Sequence, residues 1–348
     1  MMKTRRLGRG DLEVSLYCLG SMTWGTQNTA EEAFEQIDYA LDQGVNIIDT
    51  AEMYPTTPLG PETAGDTEAI IGQWVERTGR RSDVILATKI VGKGNNSVRP
   101  GGAPISPETL RLAVEGSLKR LRTEYIDIYQ LHWPNRGSYH FRQSWHFDPS
   151  AQERGEEERL LELLRTLGEL VAEGKIRHVG LSNDSAWGTA KMLHLAEVHG
   201  LPRLVSIQNE YSLLHRIFDL DLAELCHHED VGLLAYSPLA AGLLTGKYEN
   251  DAVPPGSRRT INEKLGGRMT REALVSTSAY VELARDHGLD PAQMALAFCA
   301  SRPFMGSVIL GATTMDQLRT DLGAADVTLG ADVLEEIAAI RRANPQPM

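Results

Sequence analysis

The sequence predicts an α/β fold, a (β/α)8 TIM barrel formed by one domain over residues 1–348. Short apolar segments rich in Ile, Val and Leu alternate with amphipathic segments of helical periodicity, which is typical of a parallel sheet covered by helices. The alternation continues along the whole chain, and 348 residues is a normal length for a barrel with insertions. Neither a linker nor a low-complexity tract interrupts the sequence, so a second domain is not expected.

The first part of the chain predicts a β-hairpin that precedes the barrel. Its turn falls at residues 8–11, and its second arm runs on into the first barrel strand. The other barrel strands are predicted over residues 45–48, 83–90, 125–132, 176–182, 204–210, 231–238 and 307–312.

Amphipathic segments between these strands predict the helices. Thr29 and Glu32 form a capping-box pattern at the start of the first helix, which Gly44 would end, and Pro107 follows Ser106 at the start of the third. The helices are predicted over residues 29–44, 66–78, 106–121, 158–174, 187–200, 219–228, 271–288, 291–301 and 315–322, with an additional C-terminal helix over 330–342.

Two long loops interrupt this regular order. They span residues 133–157 after the fourth barrel strand and residues 239–269 after the seventh. Both would lie at the carboxyl ends of the strands, where barrel enzymes keep their active sites. The first loop is rich in aromatic residues and is expected to cover a substrate pocket; His140 and His146 in it could contact substrate or only pack within the loop.

Composition excludes several classes of protein. The net charge is −12 and no basic run occurs, which argues against general nucleic-acid binding. The three cysteines, Cys18, Cys226 and Cys299, are widely spaced and indicate neither a disulfide framework nor a metal site. No apolar segment is long enough to cross a membrane, and the first residues lack a signal peptide, so we expect a cytoplasmic protein without membrane insertion.

Ionisable residues stand where three neighbouring barrel strands end. Asp49 and Tyr54 follow the second strand, Lys89 ends the third and His132 the fourth, and a barrel brings these ends together. A tyrosine beside a fixed ammonium loses its proton more easily, and a carboxylate can hold that ammonium in place. The four residues could therefore donate a proton to a carbonyl oxygen, whereas each alone is more often a solvated residue or a structural ion pair. Glu52 has no role in this scheme and is expected at a solvated loop position.

Seven segments in order resemble motifs of the aldo-keto reductases. They are "IIDTAEMY", "ILATK", "IDIYQLHWP", "GKIRHVGLSN", "QNEYSLL", "LLAYSPLAAGLLTGKY" and "ILGATTMDQL". The loop after "LHWP" and the sequence of the sixth segment resemble those of the branch that contains potassium-channel β-subunits and bacterial Tas-like proteins. The resemblance implies an NADPH-dependent oxidoreductase that reduces aldehydes and ketones to alcohols by hydride transfer, with Tyr54 as proton donor.

The resemblance also implies roles for individual residues. Lys89 would lower the Tyr54 pKa, Asp49 would pair with Lys89, His132 would orient the carbonyl, and Tyr236 would stack beneath the nicotinamide. The residues that would hold the cofactor are Ser182, Asn183, Gln208, Tyr236, Ser237, Leu239, Gly242, Lys247, Arg258, Gly311, Thr313, Gln317 and Asp321. Apart from the resemblance, Trp24 and Trp133, which follow the first and fourth barrel strands, are expected to form walls of the substrate pocket, although Trp24 could instead only pack in its loop.

Two departures from the family pattern concern the adenosine end of the cofactor. Asp321 stands where relatives more often have Asn, and "GATTMDQLRTD" lacks the basic residue that many relatives use for the 2′-phosphate. Arg258, Arg259 or Arg319 could replace that residue. The resemblance nevertheless implies NADP(H) as the cofactor, with NAD(H) as the alternative.

Other functions stay open at this point. A cofactor-binding regulatory or partner subunit with little turnover would keep the same residues, and the chain could form a homo-oligomer. A glycosidase-type barrel needs two carboxylates at strand ends, for which only Asp49 and Glu210 qualify, and Asp49 is better explained by Lys89.

Overall fold

A computed structural model describes residues 2–348 of the protein. Its strands are β1 (Thr4–Arg6), β2 (Glu13–Ser15), β3 (Tyr17–Gly20), β4 (Ile47–Asp49), β5 (Ile85–Ile90), β6 (Ile126–Leu131), β7 (Ile176–Ser182), β8 (Leu204–Glu210), β9 (Gly232–Tyr236) and β10 (Met305–Leu310). Its α-helices are α1 (Ala30–Asp42), α2 (Asp66–Thr78), α3 (Pro107–Leu121), α4 (Glu156–Ala172), α5 (Ala186–His199), α6 (Asp221–Glu229), α7 (Arg271–Asp286), α8 (Pro291–Ala300), α9 (Met315–Gly323) and α10 (Ala331–Ala343).

Strands β3 to β10 form a closed barrel in which every neighbouring pair is parallel. They follow one another in chain order, and β10 closes the barrel by pairing with β3. Helices α1 to α9 connect or follow the strands and cover the outside, while α10 packs against α7. The predicted (β/α)8 TIM barrel is therefore confirmed, including the N-terminal hairpin, the two long loops and the C-terminal helix.

Helix boundaries follow the capping residues in the sequence. The Thr29 side chain accepts a hydrogen bond from the Glu32 amide, and the Glu32 carboxylate accepts one from the Thr29 amide, which is the predicted capping box. Ser106 caps α3 in the same way with Thr109. Helix α1 ends at Asp42, and Gly44 behind it has a φ of +85°, which favours glycine.

The N-terminal hairpin closes the amino-terminal end of the barrel. β1 and β2 pair antiparallel, and Leu7 in their turn is completely buried. A Cβ atom at Gly232 or Gly306 would lie 2.4 Å or 2.6 Å from Leu7 Cδ1, so the two glycines leave the space that this side chain fills. Leu7 belongs to the apolar cluster inside the barrel, together with residues such as Ile47 and Ile128.

The two long loops lie over the carboxyl-terminal end of the barrel, where they connect β6 to α4 and β9 to α7. The aromatic loop contacts the barrel through Ser138, whose hydroxyl donates to the Asn183 carbonyl oxygen at 2.7 Å. Within the loop, the Phe141 ring lies edge-on to Trp133 with 5.9 Å between the ring centroids. Trp145 in the same loop is 60% exposed. Within residues 2–348, no helix is long and apolar enough to cross a membrane.

Substitution of Leu7 by alanine should destabilise the protein by roughly 2–5 kcal/mol, because it removes a buried side chain and leaves a cavity that rigid strands cannot fill. Urea unfolding would measure the free energy of unfolding. Leu112→Ala on α3 is the control, since Leu112 is 66% exposed and its loss should change stability by about 0.5 kcal/mol or less. Equal effects of the two substitutions would show that the hairpin does not close the barrel through Leu7.

Candidate active site

A cavity of about 850 Å³ opens at the carboxyl-terminal end of the barrel. Three of the four predicted catalytic residues line it: Asp49, Tyr54 and His132. The predicted cofactor residues that line it are Asn183, Gln208, Tyr236, Ser237, Leu239, Gly242, Lys247, Arg258, Gly311, Thr313, Gln317 and Asp321. Residues far apart in sequence thus meet in one cavity because the strands that carry them end on the same side of the barrel.

Lys89 lies directly behind the cavity wall and is completely buried. Its ammonium donates hydrogen bonds to Asp49 Oδ2 at 2.8 Å, to the Thr50 carbonyl oxygen at 2.7 Å and to the Tyr54 hydroxyl at 3.3 Å. Burial favours the neutral amine, but Asp49 and Tyr54 together outweigh it, and the pKa of Lys89 is raised. The ammonium is therefore charged and each of its protons has an acceptor.

Asp49 connects this ammonium to the opposite side of the barrel. Its Oδ2 accepts from Lys89, and its Oδ1 accepts from the Gln208 side-chain amide at 2.7 Å. The carbonyl oxygen of Asp49 accepts a further hydrogen bond from the Ser21 hydroxyl at 2.6 Å. Asp49 is 3% exposed, so these contacts fix both oxygen atoms of the carboxylate with little help from water.

Tyr54 keeps its proton in this environment. Burial raises the pKa of Tyr54 above its ordinary value, and the Lys89 ammonium opposes this rise without cancelling it. The predicted effect of Lys89 is therefore present, but the net shift of the Tyr54 pKa is upward because burial, helped by the Asp49 charge, outweighs it. Lys89 Nζ also lies 4.7 Å from the centroid of the Tyr54 ring, which is a favourable position for a cation.

His132 is neutral and faces the same space. Burial holds the pKa of His132 well below its ordinary value, and the nearby Lys89 charge lowers it further. The centroids of the His132 and Tyr54 rings are 6.0 Å apart. Nδ1 of His132 is buried and has no hydrogen-bond partner among the described residues. A neutral imidazole carries one N–H group, so His132 can donate a hydrogen bond to an acceptor that also accepts one from Tyr54.

Asn183 and Tyr236 form a wall of the cavity next to the tetrad of predicted catalytic residues, Asp49, Tyr54, Lys89 and His132. The Asn183 amide donates to the His132 carbonyl oxygen at 2.9 Å and to Ser182 Oγ at 3.0 Å, and its Oδ1 accepts from the Tyr236 hydroxyl at 2.7 Å. Ser182 itself is buried in the barrel wall, where its hydroxyl donates to the Gln208 carbonyl oxygen. Ser182 does not line the cavity and supports Asn183 instead, so its direct contact with the cofactor stays a prediction.

Two cations line the cavity beyond this wall. Lys247 approaches Gly242 so closely that a Cβ atom there would lie 2.8 Å from Lys247 Cε, and Gly242 has a φ of +93°. Burial and the nearby Arg258 lower the pKa of Lys247, and burial and Arg268 lower that of Arg258. Among the described residues, no carboxylate forms an ion pair with either cation. This part of the cavity therefore attracts an anionic group.

A buried ion network joins the two long loops above the cavity. Glu210 at the end of β8 pairs with Arg268 at 2.7 Å and with Arg142 at 3.2 Å. Although burial works against its charge, Arg268, His215 and Arg142 hold the pKa of Glu210 below its ordinary value. The sequence indicates Glu210 through its place at a strand end, but the two arginines lie in aperiodic loops and carry no sequence signal.

Two predictions from the sequence are wrong. Trp24 is completely buried in the hydrophobic core, where its indole nitrogen donates to Gln36 on α1 at 2.9 Å, so it is not a wall of the substrate pocket. Trp133, by contrast, lines the cavity. Glu52 is not solvated: it is 3% exposed and pairs with Arg99 at 2.9 Å. A carboxylate in a buried position needs such a partner.

The remaining candidates divide clearly between the cavity and other places. Arg258 lines the cavity, whereas Arg259 donates to Asp251 and to the Ala252 carbonyl oxygen, and Arg319 pairs with Asp316 at the surface. Within the aromatic loop, His140 is buried, with its Nε2 2.9 Å from the Asp184 carbonyl oxygen, whereas His146 is exposed. Neither histidine lines the cavity, which Phe141 of the same loop does.

The fold and the site define the class of protein: a (β/α)8 barrel whose cavity holds a protonated tyrosine beside a buried ammonium, with a cationic wall beyond. A family model described as "Aldo/keto reductase family" matches residues 17–342. The chain belongs to the aldo-keto reductase family, and it is an oxidoreductase.

Individual relatives support this assignment and the branch that the sequence resembles. "Protein tas" of Escherichia coli (strain K12) is 46% identical over 355 residues, which cover 99% of each chain. The "Uncharacterized oxidoreductase YrpG" of Bacillus subtilis (strain 168) is 32% identical over 96% of this chain and 94% of its own. The "Probable voltage-gated potassium channel subunit beta" of Arabidopsis thaliana is 30% identical over 99% of this chain and 98% of its own.

Substitution of Asp321 by asparagine should make the stability of the ligand-free protein less dependent on pH. Burial, reinforced by Asp290, raises the pKa of Asp321 to about 7. In the unfolded chain this carboxyl titrates near ~3.9, so the folded protein binds more protons between about pH 4 and about pH 7 and loses stability as the pH rises through this window. At about pH 8 the variant should be more stable by roughly 2–4 kcal/mol.

Urea unfolding at several pH values would measure this effect. Asp316→Asn is the matched control, because the Asp316 side chain is 94% exposed. This substitution should leave the pH dependence of stability unchanged. Parallel stability curves of the wild type and Asp321→Asn would contradict a raised pKa.

Proposed function

We propose that this protein reduces aldehydes and ketones to alcohols with NADPH as the hydride donor and Tyr54 as the proton donor. The observation that carries the proposal is the Lys89 ammonium, bonded at once to Asp49 and to the Tyr54 hydroxyl at the edge of the cavity. Tyr54 is a protonated acid whose conjugate base would be stabilised by a charge already in place.

Proton transfer from Tyr54 would require little rearrangement of its surroundings. The pKa of Tyr54 is raised by burial, so the hydroxyl holds its proton until a strongly basic oxygen lies beside it. When the proton leaves, the phenolate stays 3.3 Å from Lys89 Nζ, and Asp49 keeps the ammonium in position. The field that stabilises the product of proton transfer is thus present beforehand.

His132 would orient the carbonyl group. Because it is neutral, it can donate one N–H to the carbonyl oxygen without placing a second positive charge beside Lys89. Its backbone amide donates to the Ile90 carbonyl oxygen at 2.9 Å, which ties His132 to the strand that carries Lys89. Two donors, from Tyr54 and His132, would therefore converge on one oxygen atom.

The cavity residues fit a dinucleotide cofactor with phosphate groups. Lys247 and Arg258 line the cavity, and no carboxylate among residues 2–348 forms an ion pair with either of them. The Asn183–Tyr236 wall offers a polar surface to the same cavity. When bound, a reduced nicotinamide supplies the hydride that the protein itself cannot supply. Gly311, Thr313, Gln317 and Asp321 line the part of the cavity around the start of α9, where we place the adenosine end.

A preference for NADPH over NADH is proposed on the position of Arg258. Of the three arginines that could read a 2′-phosphate, Arg259 is held by Asp251 and Arg319 by Asp316, and only Arg258 lines the cavity. Its guanidinium lies 3.7 Å from the sulfur of Met22, a weak acceptor that leaves the charge available. Arginine suits phosphate because its planar fork can form two parallel hydrogen bonds.

The substrate is proposed to be a carbonyl compound with an apolar group. Met53, Trp133 and Phe141 line the cavity on the side of Tyr54 and His132.

We place the activity in the cytoplasm, since the three cysteines are free and buried and need no oxidising compartment. Self-association of the chain stays a prediction.

Tyr54→Phe should lower kcat for an aromatic aldehyde by about 10²- to 10⁴-fold, because it removes the proton donor and keeps the shape of the ring. Loss of NADPH absorbance would follow the turnover, and a fluorescence titration should show NADPH binding unchanged within about 3-fold. Tyr280→Phe is the control, since Tyr280 is a buried tyrosine on α7 outside the cavity. Full activity of Tyr54→Phe would exclude Tyr54 as the proton donor.

The same assay separates the enzyme from a regulatory subunit. Tight NADPH binding by the wild type without turnover of a broad panel of aldehydes and ketones would contradict the proposed reaction and favour the regulatory alternative.

Arg258→Ala should weaken NADPH binding by about 10- to 100-fold and NADH binding by less than about 3-fold, because only NADPH carries the 2′-phosphate. Titrations of both cofactors, followed by fluorescence, would measure the two dissociation constants. Arg259→Ala is the neighbouring control and should change neither dissociation constant. Equal losses for both cofactors in Arg258→Ala would place Arg258 at the pyrophosphate instead.

A further inference from the structure

Glu52 connects the segment that carries Tyr54 to the end of β5. Its backbone amide donates to the Lys89 carbonyl oxygen at 3.2 Å, and its Oε1 accepts from the Val91 amide at 2.7 Å. Glu52 lies two residues before Tyr54, and Lys89 and Val91 flank the last residue of β5. One residue thus holds the main chain on both sides of the point where the strand of Lys89 ends.

Arg99 completes this connection from the loop that follows β5. Its Nη1 donates to Oε1 and Oε2 of Glu52 at 2.9 Å and 3.1 Å, and its Nη2 donates to the Val91 carbonyl oxygen at 2.7 Å. Both main-chain polar groups of Val91 are therefore bound by the Glu52–Arg99 pair. The Arg99 side chain is 15% exposed and that of Glu52 2%, so water competes little for these bonds.

The same two segments support the wall of the substrate pocket. Ala51, Met53 and Val91 form a small apolar cluster, against which Tyr54 and Trp133 pack. The Trp133 indole donates to the carbonyl oxygen of Lys93, in the loop that Arg99 closes, at 3.1 Å. Movement of the Glu52–Arg99 pair would therefore move Tyr54 relative to Lys89 and to Trp133.

We propose that Glu52, held by Arg99, is a positioning residue that keeps the Tyr54 hydroxyl at hydrogen-bond distance from Lys89. The inference rests on the proposed carbonyl reduction, for which Tyr54 is the acid. Glu52 touches neither the hydroxyl of Tyr54 nor the ammonium of Lys89; it acts through the main chain on either side of them. A displacement of about 1 Å in such a pair is enough to reduce the rate of a reaction about 10²-fold.

The other end of β5 supplies a matched control. Asp127 accepts from the Leu86 amide at 2.9 Å and from Arg81 at 2.6 Å, and Arg81 donates to the Val84 carbonyl oxygen at 2.8 Å. This arrangement of a buried carboxylate, an arginine and the main chain of β5 and the residue before it is similar, with Arg177 as a second partner of Asp127 at 3.1 Å. It lies near the start of the strand, whereas Lys89 lies near its end.

The test compares Glu52→Ala and Glu52→Gln with Asp127→Ala and Asp127→Asn. Turnover of benzaldehyde with NADPH would be measured across pH, together with KM, the NADPH dissociation constant and urea unfolding. Glu52→Ala should lower kcat about 10- to 100-fold, with KM and NADPH binding changed by less than about 3-fold. Glu52→Gln keeps an oxygen for the Val91 amide and should restore kcat to within about 5-fold of the wild type.

The pH profile separates positioning from stability. Burial, the Asp49 carboxylate and the Cys18 thiol raise the pKa of Tyr54, whereas Lys89 lowers it. His132 and Tyr236, which also face Tyr54, are neutral. If Glu52→Ala moves Tyr54 away from Lys89, the decline of kcat at high pH should shift to higher pH. The two Asp127 variants should lose stability without this shift.

Two results would overturn the inference. One is a Glu52→Ala protein with wild-type kcat and pH profile; the other is an equal change of kcat and profile in Asp127→Ala. If Glu52→Ala does not fold, Arg99→Lys, which keeps the charge but loses the forked contact, should show the same shift. Its absence there would equally contradict the inference.

A spectroscopic measurement keeps the test independent of turnover. In protein labelled with ¹³C at the tyrosine Cζ, the signal missing in Tyr54→Phe belongs to Tyr54 and reports its hydrogen bond to Lys89. That signal should move in Glu52→Ala and stay in place in Asp127→Ala. A wild type without turnover but with this response would reject the proposed function and keep the positioning role; a signal that does not move would reject the role.

Discussion

The buried ammonium of Lys89 is the interaction on which the arrangement of the site depends. An ammonium without contact to water is unfavourable by several kcal/mol unless acceptors surround it. Here Asp49, the Thr50 carbonyl oxygen and the Tyr54 hydroxyl accept its three hydrogen bonds. All three acceptors lie in β4 or in the segment that follows it, so the charge fixes this segment against β5. Tyr54 is thus one of the three acceptors that the buried ammonium needs.

The same burial affects the neighbouring groups in complementary ways. It raises the pKa of Tyr54 and lowers that of His132, so both side chains are neutral hydrogen-bond donors. The positive charge beside them stays on Lys89, where Asp49 holds it. Four further cations line the cavity. Arg142 and Arg268 pair with Glu210, whereas Lys247 and Arg258 face the part that we assign to phosphate groups. The cavity thus separates a region suited to proton transfer from a region suited to binding an anion.

Much of this could be predicted from the sequence, because the governing features are local. Helix α2 has the predicted bounds, and the tetrad follows from the rule that polar residues at strand ends converge in a barrel. The predictions of a pocket wall at Trp24 and a solvated position for Glu52 are wrong because the environments of these residues depend on distant partners. The partner of Trp24 is Gln36 on the inner side of α1, and that of Glu52 is Arg99, 47 residues further along in a loop without periodicity. No local pattern specifies such pairs.

Strand β5 shows how one structural arrangement can serve two purposes. At its start, Asp127 and Arg81 bind the main chain around Leu86; at its end, Glu52 and Arg99 bind the main chain around Val91. Both pairs satisfy buried backbone groups next to a strand terminus, which is a requirement of any closed barrel. Only the second pair also includes the residue two positions before Tyr54. The site lies at the carboxyl-terminal ends of the strands. A carboxylate–arginine pair at the start of β5 is therefore only structural, whereas the corresponding pair at its end also determines the position of Tyr54.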